Sequence, residues 1–215
     1  MSDLSFEISP FRHSVSLVNL KFPWHREEII NELEQEEWRP FGMDTSVEHN
    51  VWTGKRYKVI HPRSRRLLAV KHYLQDQIEY VVQSLYQHKH SLHTTWQMYP
   101  WRLAQNVMMH AEFTRDLPGF ENGIHLDNRM LFATGMIYLT DEHRDEWSSC
   151  FYDNYQQHNP VIIPSGFGQG WVHANDYDTW HDGWNRTDQV RYSILFALTL
   201  KFENQPTADD NPNKP

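Results

Sequence analysis

Cysteine is almost absent from this chain of 215 residues, where Cys150 stands alone. A lone cysteine forbids an internal disulfide and fits a reducing compartment, so a cytoplasmic setting is expected. No stretch approaches the roughly 20 apolar residues that a membrane span requires, and the first ten residues hold no apolar signal run. Positive charge is in deficit as well: the formal net charge is −8. That removes the basic footprint of a nucleic-acid binder, with Arg63-Ser64-Arg65-Arg66 as the one local patch. No internal repeat is present.

Aromatic residues are plentiful instead, with 9 Trp, 10 Tyr and 11 Phe. Such a composition suits a β-rich core better than a helical bundle. The length fits one domain with a sizeable core. We expect that domain over 1–204, with its β-core over about 107–200. The polar stretch 205–215 carries three prolines and is expected to be a disordered tail.

Residues 1–12 read as a lead-in, followed by an alternating strand over Val15–Leu20. A helix is predicted over 24–38, with Ile29, Ile30 and Leu33 as its apolar stripe and a Glu-rich solvated face. Loops and short strands follow, including one at Tyr57–Ile60. A second helix is predicted over 65–87, where Leu67, Leu74, Ile78, Val81 and Leu85 recur at helical spacing. Its exit carries His88, His90 and His93; no nearby cysteine or carboxylate pattern supports a zinc site there, so these read as solvated or capping residues. Strand signals then dominate: Val107–Phe113, a Pro118-Gly119 turn, the strand leading to His125, a long apolar strand over Leu131–Thr140, and short strands at Phe151-Tyr152 and Val161–Ile163. The stretch Pro164–Gly170 is Gly-rich, but no Lys follows and no helix begins, so it is not a phosphate loop. Helices first and short strands afterwards point to a jelly-roll buttressed by N-terminal helices.

The chain holds 14 histidines, and most are bland. His125-Leu126-Asp127 is different because of its spacing. On a strand, residues i and i+2 face the same way, so His125 and Asp127 would reach one point together. His181 would add a second imidazole. Two imidazoles and one carboxylate form a facial set that leaves metal coordination positions open, as non-haem Fe(II) requires. His173 is the rival third ligand. Arg191 follows His181 by ten residues, and Ser193 follows by two more. A strand ending near His181, a turn through Asp182-Gly183 and a return strand over 190–200 would bring both beside the metal. No Asp or Glu lies on that strand, so a buried Arg191 would need an anionic partner from elsewhere. A bound dicarboxylate would fit its planar fork; a structural ion pair with a distant carboxylate is the alternative. Thr134 and Met136 share the Tyr138 face, as pocket lining or as core. Arg115, Arg129, Trp147, Trp171 and Trp184 read as structural or surface residues, with substrate contact from loops as the alternative.

In these motifs the sequence resembles the Fe(II)/2-oxoglutarate-dependent oxygenases, most closely their prolyl-hydroxylase-like branch. The matching residues are His125-x-Asp127, then Thr134 to Thr140 with its Tyr138-Leu139 pair, Trp180-His181, and Arg191-x-Ser193; they span about 107–200. The family often has a Gly-Gly pair after the Tyr-Leu strand; here Ser148-Ser149 stands in that region. The resemblance implies a double-stranded β-helix, the cupin-like jelly-roll. It implies Fe(II) held by His125, Asp127 and His181, with O2 and the co-substrate 2-oxoglutarate. Arg191 would bind the far carboxylate, assisted by Ser193 and Tyr138. The implied activity is hydroxylation of an unactivated C–H bond, with release of succinate and CO2. Asp127 argues against a halogenase, which needs that position vacated. The substrate, a small molecule or a peptide, is not readable from the sequence, nor is the oligomeric state. A cupin-like metal-binding or sensory module would keep the triad without needing Arg191 or Ser193. A non-catalytic jelly-roll interaction protein would not depend on the metal at all.

Overall fold

The computed structural model describes residues 6–12, 15–41, 54–77, 107–127, 133–141, 143–174 and 179–200. Two hairpin strands open the described chain, β1 (Phe6–Arg12) and β2 (Val15–Leu20), followed by helix α1 (Arg26–Glu34). Short strands β3 (Arg39–Pro40) and β4 (Arg56–Val59) precede helix α2 (Arg65–Asp76). Eight strands then complete the fold: β5 (Val107–Asp116), β6 (Phe120–His125), β7 (Ala133–Tyr138), β8 (Ser149–Tyr152), β9 (Val161–Ile162), β10 (Gln169–Ala174), β11 (Trp180–Asn185) and β12 (Arg191–Leu200).

These strands form two antiparallel sheets. The larger has the order β1-β2-β10-β7-β12-β5-β4-β3, and the smaller β6-β11-β8-β9. From β5 onward the chain passes between the sheets, so β5, β7, β10 and β12 face β6, β8, β9 and β11. This is a double-stranded β-helix, as expected. Alternation along the strands gives the larger sheet two apolar faces. The outer face (Phe113, Ile137, Val172, Ile194) packs on Ile29 and Leu33 of α1 and on Leu67, Val70 and Leu74 of α2. Each fully buried Leu or Ile there contributes roughly 1.5–3 kcal/mol. The inner face fills the barrel with Val15, Met136, Tyr138 and Trp171, joined by Phe151 and Ile163.

Local signals explain the element ends. At the start of α1 the Glu28 carboxylate accepts the His25 N–H at 3.0 Å. Ser64 caps α2, its Oγ accepting from the N–H groups of Arg66 and Leu67. Gly119 adopts φ +75°, which lets the β5–β6 turn close tightly.

Several boundaries differ from the sequence reading. Helix α1 ends at Glu34 rather than 38: the Trp38 indole donates to the Leu33 carbonyl at 3.0 Å, and the chain turns into β3. Helix α2 ends at Asp76 with Gln77 as its C-cap, and residues 78–87 of the predicted helix, His88, His90, His93 and the tail 205–215 lie outside the described residues. The lead-in contains β1, whose Pro10 is tolerated because β1 is an edge strand. Strand β10 begins inside the stretch read as turns. The turn expected at Asp182-Gly183 is absent: β11 runs through both to Asn185. No helix among the described residues is long and apolar enough to cross a membrane.

Candidate metal centre

His125 closes β6 and His181 is the second residue of β11, and the two stand opposite one another in the antiparallel register. Their ring centroids are 4.3 Å apart. Asp127 lies two residues beyond the end of β6, so strand alternation does not carry it; the short exit after His125 does. One ligand atom from each of the three residues lies within 4.8 Å of the other two. His125 Nε2 is 3.6 Å from one carboxylate oxygen of Asp127, and His181 Nε2 is 3.8 Å from the other. Both gaps are too long for hydrogen bonds. They suit atoms that share a cation at metal–ligand bonds of about 2.0–2.2 Å.

The backbone fixes how the rings present themselves. His125 Nδ1 lies 2.7 Å from the Gly123 carbonyl, and His181 Nδ1 lies 2.9 Å from the Thr179 carbonyl. A carbonyl only accepts, so each Nδ1 carries a proton and Nε2 is left as the ring nitrogen that faces Asp127. Burial, reinforced by His125 and His173, pushes the His181 pKa down to about 3, which keeps the ring neutral. Burial alone would raise the Asp127 pKa, but the neighbouring histidines, His181 first, hold it well below the ordinary carboxylate value. Neutral imidazoles and an ionised carboxylate are the forms that bind a divalent cation.

Aromatic residues wall the centre. Phe151 stacks on His181 at 5.1 Å and 22°, and Trp171 meets the same ring at 5.5 Å and 60°. His173 is fully buried, with Nε2 3.1 Å from Asp127 Oδ2, and is not one of the three clustered ligands. Trp171 projects into the barrel from β10, not from a loop, and its Nε1–H finds no acceptor among the described residues. Trp147 and Trp184 are buried, the latter donating to the Asp145 carbonyl. Arg115 lies over the rings of Trp38 and Tyr57 at 4.7 and 5.2 Å. Thr134 and Met136 are buried, and Met136 sits in the inner core. Arg129 lies outside the described residues.

Arg191, Ser193 and Tyr138 come together on the inner face, where Ser193 pairs in register with Tyr138. They sit beyond the triad along the barrel: the Arg191 guanidinium reaches the Trp184 carbonyl, three residues past His181, a strand rise of roughly 10 Å. Arg191 is fully buried and already has an anionic partner. Asp116, directly opposite on β5, accepts from its Nε at 2.9 Å and from its Nη2. Its Nη1 donates to the carbonyls of Trp147 and Trp184. The alternative reading of Arg191, an ion pair with a carboxylate from another strand, is therefore present in the fold. Arg56 of β4 grips the same Asp116 at 2.5 and 2.8 Å, so two guanidiniums share one carboxylate. The Tyr138 hydroxyl donates to Ser149 Oγ at 2.8 Å and accepts the Ser149 N–H at 2.9 Å, bridging the two sheets. Ser193 Oγ lies 2.7 Å from Thr114 Oγ1.

Sequence reasoning missed Asp116, Arg56, Thr114 and Ser149. Arg56 and Asp116 are joined only by the β4–β5 register, which no local pattern announces. A further set, Ser165, His143 and Asp145, has the composition of a nucleophilic triad. Ser165 is fully buried and its Oγ is engaged by the backbone of Arg144, so it braces a loop.

No protein-family model matches this sequence, and no curated protein matches it at the sequence level. Solved structures do match in fold. A prolyl-4-hydroxylase from Pseudomonas putida aligns with a TM-score of 0.56 at 14% identity, over 88% of this chain and 94% of that one. A prolyl hydroxylase from Trichoplax adhaerens, solved with a peptide fragment of the hypoxia inducible factor oxygen degradation domain, aligns with a TM-score of 0.60 at 16% identity, over 87% and 84%. HygX from Streptomyces hygroscopicus, solved with nickel and 2-oxoglutarate, aligns with a TM-score of 0.52 at 11% identity, over 88% and 84%. At such identities the likeness concerns the fold, which is that of the 2-oxoglutarate-Fe(II) oxygenases.

Proposed function

We propose that this chain is an Fe(II)- and 2-oxoglutarate-dependent oxygenase that hydroxylates an unactivated C–H bond of a small-molecule or peptide substrate. The observation that carries this reading is the convergence of His125, Asp127 and His181, with each imidazole's Nε2 facing the carboxylate. These three residues would hold Fe(II). When bound, iron with O2 and 2-oxoglutarate supplies the oxidising power, releasing succinate and CO2.

The chain's own residues supply binding, orientation and exclusion of water. Arg56 and Arg191 against Asp116 leave one positive charge in excess within the network, which favours an anion nearby. Arg191 would act on the far carboxylate of the co-substrate mainly through this charge, since its Nε, Nη1 and Nη2 all donate to the protein. Ser193 and Tyr138 would shape the same end of the site. The unpartnered Trp171 N–H suits an oxygen-bearing ligand inside the barrel. Phe151 and Trp171 keep the triad dry.

The ion pair between Arg191 and Asp116 favours one second reading, a cupin-like metal-binding module that takes no dicarboxylate. An anaerobic titration of metal-free protein with Fe(II) and 2-oxoglutarate separates the two. A saturable visible charge-transfer band, lost in His181→Ala, supports the oxygenase. Metal binding without the band supports the module. Succinate release in a substrate screen, with product analysis, then tests hydroxylation against the epimerisation named for SnoN, a fold neighbour aligned at 14% identity with a TM-score of 0.55.

A further inference from the structure

We infer that Arg56 is the positioning residue of the anion-binding end of the site: it holds both oxygens of Asp116, so that the charge of Arg191 stays uncancelled for a carboxylate ligand. The inference rests on the proposed oxygenase reading and adds to it a residue from outside the β-helix motifs.

The three residues form one row across the larger sheet. Asp116 of β5 pairs in register with Arg56 of β4 on one side and with Arg191 of β12 on the other. Cross-strand partners share a face, so both guanidiniums reach the same carboxylate. Arg56 takes it with a fork, Nε donating to Oδ1 at 2.5 Å and Nη2 to Oδ2 at 2.8 Å. Arg191 reaches only Oδ2. Asp116 therefore has a complete counter-ion in Arg56, and Arg191 is the surplus cation.

That surplus is buried. Exposure is 5% for Arg56 and 0% for Asp116 and Arg191. Among the described residues, no other carboxylate forms an ion pair with either guanidinium. A buried cation without its own anion is costly, because no solvent screens it. Aromatic rings soften the charge without cancelling it: Phe120 lies 4.2 Å from Arg56 Cζ and 5.9 Å from Arg191 Cζ, and Tyr138 lies 5.6 Å from the latter. Tyr138 belongs to the same inner cluster as Phe151 and Trp171, which contact His181. The uncancelled charge thus borders the interior that leads to the triad, and a carboxylate is the ligand class that completes the row. Without Arg56, Asp116 would cancel Arg191 one for one and that attraction would go.

The test is 2-oxoglutarate binding to the Zn(II)-loaded full-length protein by calorimetry. It compares wild type with Arg56→Gln, Arg56→Met and a double variant, Arg56→Gln with Asp116→Asn. Both single variants should fold, because Asp116 and Arg191 remain a neutral pair. Both should bind 2-oxoglutarate about tenfold more weakly, or worse, the order expected for loss of one buried charge near the ligand. The double variant, which returns the surplus positive charge, should regain most of the binding; a merely structural Arg56 predicts no such rescue. Wild-type affinity in a folded Arg56→Gln or Arg56→Met protein overturns the inference and leaves the oxygenase reading standing. Failure of both single variants to fold, or no recovery in a folded double variant, makes Arg56 a structural residue and overturns it too. Failure of the Zn(II)-loaded wild type to bind 2-oxoglutarate overturns the underlying reading instead.

Discussion

Arg191 and Asp116 face one another across the β12–β5 ladder, and neither side chain of the pair is open to solvent. Asp116 also neutralises Arg56, so its removal leaves two buried guanidiniums without their counter-ion. Breaking a buried pair from one side costs about 3–5 kcal/mol. Asp116→Asn should lower unfolding stability by that order in denaturant melts, and an unchanged midpoint would show that the pair is dispensable.

The same carboxylate makes a pH prediction. Burial works to raise the Asp116 pKa, but Arg56 and Arg191 outweigh it and hold the group below its ordinary value. A depressed folded pKa contributes stability that is present above the unfolded pKa, near 3.9, and lost as pH falls through the folded value. Wild-type stability should therefore decline with acidification below about pH 4, and Asp116→Asn should lack that component. Parallel acid curves for the two proteins would contradict the assignment.

Metal occupancy should be visible as stability. A ligand present at 100 times its Kd raises the unfolding free energy by about 2.7 kcal/mol. Zn(II) or Co(II) should raise the Tm of the wild type, and chelator should reverse the gain. Asp127→Ala and His181→Ala should show neither effect, and a metal-induced shift that survives both substitutions would move the site elsewhere.

Tyr138 ties β7 to β8 through both the hydroxyl and the amide of Ser149. Tyr138→Phe keeps the ring and leaves the buried Ser149 N–H without that acceptor, at a cost of about 1–3 kcal/mol. Thermal melts measure that bracing role, and 2-oxoglutarate titration of the same variant measures the proposed ligand role. Unchanged stability with weakened 2-oxoglutarate binding would make Tyr138 a ligand contact rather than a brace.

Gly170 lies where β10 passes between β2 and β7, and a Cβ built there would stand 1.9 Å from the Met136 carbonyl oxygen. That neighbour is backbone and cannot swing aside. Gly170→Ala should destabilise by about 1–3 kcal/mol, the usual cost of overpacking, and a neutral effect in chemical melts would mean the strands separate freely.

The sequence made the triad legible because its members belong to a local motif and a well-spaced partner. His125, Asp127 and His181 meet as expected, although Asp127 arrives from beyond its strand. The β-helix was legible through the short strand signals of the second half and, more strongly, through the family resemblance of the motifs they carry. The partner of Arg191 was not, because Asp116 reaches it through the register of strands far apart in the chain. Asp182-Gly183 looked like a turn, yet β11 is hydrogen-bonded on both sides, to β6 and β8, and the pairing overrides the local signal. The β6–β11 register shifts between His181 and Gly183. Strand β10 was hidden by the glycines at its entry, one of which is needed for close packing rather than for turning.

The two imidazoles of the centre are cross-strand neighbours, so the spacing between them is set by the pitch of a β-ladder. The connecting chain does not act as their ruler. Loops joining the strands between β6 and β11 can therefore change in length while the separation of the two imidazoles, held by the ladder, stays as it is.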